Sequence, residues 1–223
     1  MEKAEDQGFV RRGRAKALAC GLLLAGLFSA SSARIEGSFV DPRDGQRYPT
    51  VTYTLTPAEG PIVDADEYGS YVAGETVTYE VRLGGQLPST LTWMARNLNH
   101  QVPGSRCYGN DPGNCAEHGR LYTWEQAMQV CPDGWHLPSD DEWFLLAREF
   151  GGVAIAGRHL KAVGYGGGTN ESLFGVVKPH IFWSSNELDA SNALDSKVNF
   201  RWEKLQRWKG GKELYNSVRC VKD

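Results

Sequence analysis

The chain is poor in the features that would commit it to nucleic acid, nucleotides, metals or a membrane. It holds 24 Lys and Arg against 27 Asp and Glu. Residues 1–33 carry five of the basic and three of the acidic ones, so the remainder has 19 against 24 and no basic block. Phosphate backbones are held by clustered Lys and Arg, which excludes nucleic acid as a partner. The glycines between Gly164 and Gly168 are followed by no Lys-Ser or Lys-Thr, so they do not make a phosphate loop. The acidic stretch with Asp64, Asp66 and Glu67 lacks the Gly and the later Glu of a calcium loop and reads as solvated. Cys115, His118, Cys131 and His136 are zinc-ligand types, but no Cys-x-x-Cys unit organises them. No metal and no cofactor is expected. The apolar run from Ala17 to Ala30 is too short to span a bilayer. No internal repeat, coiled coil or low-complexity tract occurs.

What the N-terminus does contain is a signal-peptide pattern. Arg11, Arg12, Arg14 and Lys16 precede an apolar stretch centred on Leu22, Leu23, Leu24, Leu27 and Phe28. Ser31-Ser32-Ala33 supplies small residues for cleavage after Ala33. Residues 1–33 are therefore expected to be removed, leaving a domain over residues 34–223. Leu18-Ala19-Cys20 resembles a lipoprotein box, but too little apolar sequence precedes Cys20 for a lipid anchor to be the main expectation. The predicted location is outside the cytoplasm, either secreted or at the cell surface or outer envelope.

Four cysteines remain beyond residue 33: Cys107, Cys115, Cys131 and Cys220. An even number in an exported chain points to disulfides, and four allow three connectivities. Cys107 and Cys115 flank a turn-rich stretch, Tyr108 to Asn114, that can fold back on itself. Pairing them leaves Cys131 with Cys220.

Local patterns predict an α+β chain. Tyr48 to Leu55, Thr76 to Leu83 and Leu91 to Leu98 read as strands, as do Ile181 to Ser185, Ser196 to Trp202 and Ser217 to Val221. Thr123 and Gln126 form a capping box, with Trp124, Ala127, Met128 and Cys131 on one helical face. Ser139 and Glu142 repeat the device, followed by Trp143, Leu146, Ala147 and Phe150 at helical spacing, and Gly151-Gly152 stops that helix. Trp124, Trp135, Trp143 and Trp183 are expected in the core.

Several motifs occur in order: Asp41-Pro42-Arg43-Asp44-Gly45-Gln46, Trp93-Met94-Ala95 with Asn97-Leu98-Asn99, Cys107-Tyr108, Asn114-Cys115-Ala116 and Gly119-Arg120-Leu121-Tyr122-Thr123-Trp124. Cys131-Pro132, Gly134-Trp135-His136-Leu137-Pro138-Ser139-Asp140, Glu142-Trp143, Phe182-Trp183-Ser184-Ser185 and Ser217 to Asp223 complete the series. Together they resemble the Fibrobacter succinogenes major paralogous domain over residues 37–223. In that family the Thr-Val strand leads within a few residues to the Trp-Met segment, so residues 52–82 read as an insertion, a β-hairpin or small β subdomain. The family in turn resembles the formylglycine-generating-enzyme branch of the C-type lectin fold. That resemblance implies two helices packed on a twisted, loop-rich antiparallel sheet, with a variable face built from the C-terminal third.

Taken literally, the kinship implies oxidation of a cysteine in a partner sulfatase. Cys220 is the only cysteine past residue 131, and a bridged Cys220 leaves no thiolate for that chemistry. The five histidines form no tight motif with Ser or Asp, so no catalytic residue is assigned. The fold instead implies recognition of an extracellular glycan or protein by loops on a rigid scaffold. Asn186, Glu187, Asn192, Asn199, Arg201, Trp202, Lys204, Arg207 and Trp208 have the composition of a contact face, mixing aromatic anchors with polar groups. The acidic and amide pairs of calcium-dependent sugar binding are lacking. A third expectation is a structural component of the cell envelope, with the 52–82 insertion as its contact element.

Overall fold

The computed structural model describes residues 34–55, 62–64, 79–81, 88–153, 155–157, 160, 180–198 and 204–223. The expected signal segment, the rest of the insertion and the expected contact residues Asn199, Arg201 and Trp202 lie outside the described residues. In chain order the elements are β1 (Arg34–Val40), β2 (Arg47–Thr54), β3 (Ile62–Asp64), β4 (Tyr79–Val81), β5 (Thr90–Met94), α1 (Pro112–His118), β6 (Leu121–Tyr122), α2 (Trp124–Val130), β7 (Trp135–His136), α3 (Asp140–Glu149), β8 (His180–Asp189), β9 (Asn192–Val198), β10 (Leu205–Gly211), β11 (Asn216–Ser217) and β12 (Val221–Lys222). The class is α+β, and the described residues include two five-stranded sheets and the short helices α1, α2 and α3. No described helix is long and apolar enough to cross a membrane.

The first sheet runs β1-β2-β5-β12-β7. Its opening hairpin turns at Asp41 to Gly45, where Gly45 takes φ +73° and its N–H donates to Asp41 O at 2.8 Å. The Asp41 carboxylate is fully buried and accepts from Arg43 Nε at 2.9 Å and Nη2 at 2.7 Å. Arg43 Nη1 reaches on to Val130 O at 3.0 Å, which fastens the turn to the end of α2. Burial pushes Asp41 up, but the bonds from Arg43 outweigh it and hold the carboxyl below its usual range. Thr52 to Thr54 pair with Thr90 to Thr92, so the sheet continues into the stretch expected to be inserted. β3 and β4 pair antiparallel with each other in a two-stranded sheet of their own.

The second sheet runs β10-β9-β8-β11-β6 and contains one parallel pair, β8 with β11. The stretch expected as one closing strand is divided between the sheets. β11 belongs to the second sheet and β12 to the first, with Val218 to Cys220 crossing between them. The crossing is anchored where Met94 N donates to Cys220 O at 3.0 Å and Leu98 N to Val218 O at 2.8 Å.

Both capping boxes form as expected. The face predicted for α2 needs correction: Met128 is 44% exposed, and the buried positions are Ala127 and Val130. Cys131 lies beyond the helix with φ −65°, ψ 143°, because Pro132 disfavours helical backbone at the preceding residue. α3 buries Trp143, Phe144, Leu145, Leu146 and Ala147 between the sheets. Trp143 packs 4.8 Å from Trp93 of the first sheet and 5.2 Å from Phe182 of the second. A second cluster gathers Tyr48, Met94, Tyr122, Val130, Trp183 and Cys220. The disulfides join Cys107 to Cys115 and Cys131 to Cys220, the pairing that the turn between the first two implied. The second bridge ties the end of α2 to the sheet crossing.

Candidate functional site

Strands β8, β9 and β10 carry most of the described residues of the expected contact face. β8 and β9 form a long hairpin whose register shifts between Trp183 and Asp189. The shift has identifiable anchors. Trp124 Nε1 donates to Ser184 O at 2.9 Å, Ser185 N to Pro138 O at 2.9 Å, and Asp140 N to the Asn186 side-chain oxygen at 2.7 Å. Bulged strands re-aim side chains in this way, and here the bulge fastens β8 to the N-terminal ends of α2 and α3.

Each of the described contact residues has a definite place. Asn186 and Arg207 converge on Asp140, with Arg207 Nη2 2.6 Å from its buried carboxylate. Glu187 pairs with Lys212, whose ammonium sits 4.6 Å from the Trp124 ring centre. Asn192 donates to Asp189 Oδ1 at 2.7 Å and closes the hairpin tip. Trp208 lies on the edge strand β10 with Lys197 Nζ 4.0 Å from its ring centre, a cation–π contact. Lys204 immediately precedes β10. The structure therefore gathers Asn186 and Arg207 at one helix end and Trp208 beside Lys197, while Glu187 and Asn192 serve separate contacts.

Sequence reasoning missed the residue beneath Trp208. Asp195 is cross-strand partner to both Trp208 and Trp183. It is 2% exposed, and its Oδ1 has no hydrogen-bond partner. A side chain at Gly210 would come within 2.5 Å of Asp195 Oδ2, so the glycine leaves the room that the carboxyl fills. Desolvation pushes this carboxyl up to about 7, against a smaller opposing pull from Lys197. Only its alternation with Ala193 and Lys197 marked it in the sequence, and nothing there told burial from exposure.

Two of the described histidines, His136 and His100, are clamps. His136 contacts Glu142 through Nε2 at 2.8 Å and Asp223 through Nδ1 at 2.7 Å. The hydrogen bond to Glu142 is the main cause that raises His136 to about 9, opposed by burial and aided by Asp223. His100 Nδ1 lies 2.7 Å from Asp44. Asp41, Asp44 and His100 bring ligand-type atoms within 4.8 Å of one another, but Arg43 already occupies both Asp41 oxygens. The cysteines of the sequence-level zinc set are both in disulfides.

Residues 81–180 match the family model described as Fibrobacter succinogenes major domain. The match takes in β5, α1, α2, α3 and Cys107, Cys115 and Cys131, and it stops at the first residue of β8. No curated protein and no solved structure matches the chain. This match over residues 81–180 supports placing that stretch in the Fibrobacter succinogenes major domain family.

Proposed function

We propose that this protein is an exported, non-catalytic binding module of C-type-lectin-like architecture, which recognises a glycan or protein ligand through its β8–β10 face. The observation that carries the reading is the state of the cysteines. All four beyond residue 33 are joined in two bridges. Such bridges persist in oxidising compartments, and they leave no thiolate for metal binding or attack. The same bridges hold a rigid scaffold, which lowers the ordering cost of binding. The closing strand β12 beside β5, near the opening hairpin, and two capped helices support the lectin-type architecture.

On that scaffold Trp208 is the natural anchor. It is partly exposed on an edge strand and held by Lys197. The test is a glycan and surface-protein screen of the oxidised chain, with Trp208→Ala and Trp202→Ala as comparisons. A bound ligand should lose about tenfold or more in affinity with Trp208→Ala, the scale of an interface anchor. Equal binding by wild type and both variants would overturn the site.

One feature favours a second reading, a structural envelope component: the β3–β4 hairpin pairs only with itself among the described strands. Deleting the insertion separates the two readings. Lost envelope association with ligand binding kept supports the structural role, and the reverse supports the binding face.

A further inference from the structure

The first sheet carries a groove of about 290 Å3. Val51, Trp93 and Val221 point into the Trp143 core, so by strand alternation their neighbours Thr50, Thr92 and Lys222 point to the opposite face. These three line the groove, together with Phe39 and Trp135, whose rings pack 5.1 Å apart. Asp133 completes the rim.

The charged groups here are unengaged. Asp133 and Lys222 are exposed, and neither forms an ion pair with the other or with any described residue. The Trp135 indole N–H donates to no described residue. Thr92 Oγ1 sits 2.8 Å from Thr52 Oγ1, and such a hydroxyl pair retains acceptor capacity. The backbone beneath the two charges is held in place. Asp133 and Lys222 each follow a half-cystine of the Cys131–Cys220 bridge by two residues. Asp223 N donates to Gly134 O at 3.0 Å, and Lys222 pairs with Trp135.

This combination selects a ligand class. An anion drawn to Lys222 meets Asp133, and a cation drawn to Asp133 meets Lys222. An apolar ligand would strip water from both charges without replacing it. A neutral, hydroxyl-rich ring suits all of the groups. Its hydroxyls donate to the carboxylate, accept from the ammonium and the indole N–H, and exchange bonds with the threonines. Its C–H face packs on aromatic surface. We propose that this groove binds one neutral pyranose unit of a glycan, at a site independent of the β8–β10 face.

The test is an amide and indole NMR titration of the oxidised chain with methyl glucoside, methyl mannoside and methyl galactoside. At least one should shift the Trp135 indole N–H and the Gly134 amide, with a dissociation constant on the order of 1 mM. Asp133→Ala should weaken that binding about tenfold, the worth of a hydrogen bond to a charged group. Lys222→Ala should weaken it in the same direction, and Trp208→Ala should leave it unchanged. Asp133 and Lys222 are exposed and unpaired, and the variants' spectra report their folding directly. Three results would overturn the proposal: no shift at these positions with any glycoside, unaltered binding by Asp133→Ala, or loss of binding with Trp208→Ala. Free glycine shifting the same signals more strongly than the glycosides would overturn it in favour of a zwitterion site.

Discussion

Replacing Asp195 with Asn should make this protein more stable at pH 8 and flatten its response to pH. Asp195 is 2% exposed, lies against Trp183 and Gly210, and has a carboxyl oxygen with no hydrogen-bond partner. Burial raises it from 3.8 to about 7. Because the folded value lies above the unfolded one, the associated stability is complete below about pH 4 and is lost as pH rises towards 7. A shift of this size corresponds to about 4 kcal/mol as an upper bound, at about 1.36 kcal/mol per unit. Asn has nearly the shape of the neutral acid and never ionises. At pH 4 the variant should therefore match wild type within about 1 kcal/mol, the ordinary scale of one altered hydrogen bond. At pH 8 it should exceed wild type by about 2–4 kcal/mol. The assay is urea unfolding of the oxidised chain, followed by tryptophan fluorescence at unit pH steps from 4 to 8. Parallel stability profiles for the two proteins would refute the reasoning, since they would show that Asp195 does not change its charge state on folding over this range.

Three further outcomes follow from named contacts. His136 is raised to about 9, so its clamp on Glu142 and Asp223 is complete below pH 6.5 and fades as pH rises through 9; it is 40% exposed, so His136→Asn should remove less than about 1 kcal/mol of pH-dependent stability in that window, read from the same unfolding curves. Arg43→Ala leaves the fully buried Asp41 carboxylate without its partner, and the unfolding midpoint should fall by the equivalent of about 3 kcal/mol or more; an unchanged midpoint would mean that the pair does not hold the turn to α2. Replacing Cys131 and Cys220 together with Ser opens a cross-link spanning 89 residues and should cost about 4.5 kcal/mol in the chain-entropy model, against about 2.5 kcal/mol for the Cys107–Cys115 pair. The order of the two losses, measured by calorimetry or urea, is the checkable part.

Helices and their caps were legible because their signals are local. Thr123 with Gln126 and Ser139 with Glu142 each place two reciprocal hydrogen bonds within four residues. The same locality exposed one misreading. Helical spacing alone carried α2 through Cys131, whereas the proline at 132 had already marked its end. α1 was readable in principle from Asp111-Pro112, an N-cap acceptor before proline at the first helical position, but the flanking cysteines drew the stretch to a turn. β1 and β10 were not read as strands. β1 is exposed along nearly its whole length, so it lacks the apolar alternation by which strands are recognised, and β10 mixes Arg, Trp, Lys and Gly.

The contact face was legible only as composition. Sequence could nominate Asn186 and Arg207 as polar, but only tertiary contact shows both turned to the N-terminal end of α3. The groove was hidden for a related reason. Its members come from β1, β2, β5, β7, β12 and the turn before β7, and they meet through strand order. The disulfide pairing was different, because a turn between two nearby cysteines limits the partners left for the others.

The most direct measurement is non-reducing peptide mapping, by mass spectrometry, of the chain recovered from the outside of the cell. The account predicts a chain that begins at Arg34, with Cys107 linked to Cys115 and Cys131 linked to Cys220. A free thiol at residue 131 or 220, or a recovered chain that keeps residues 1–33, would contradict it.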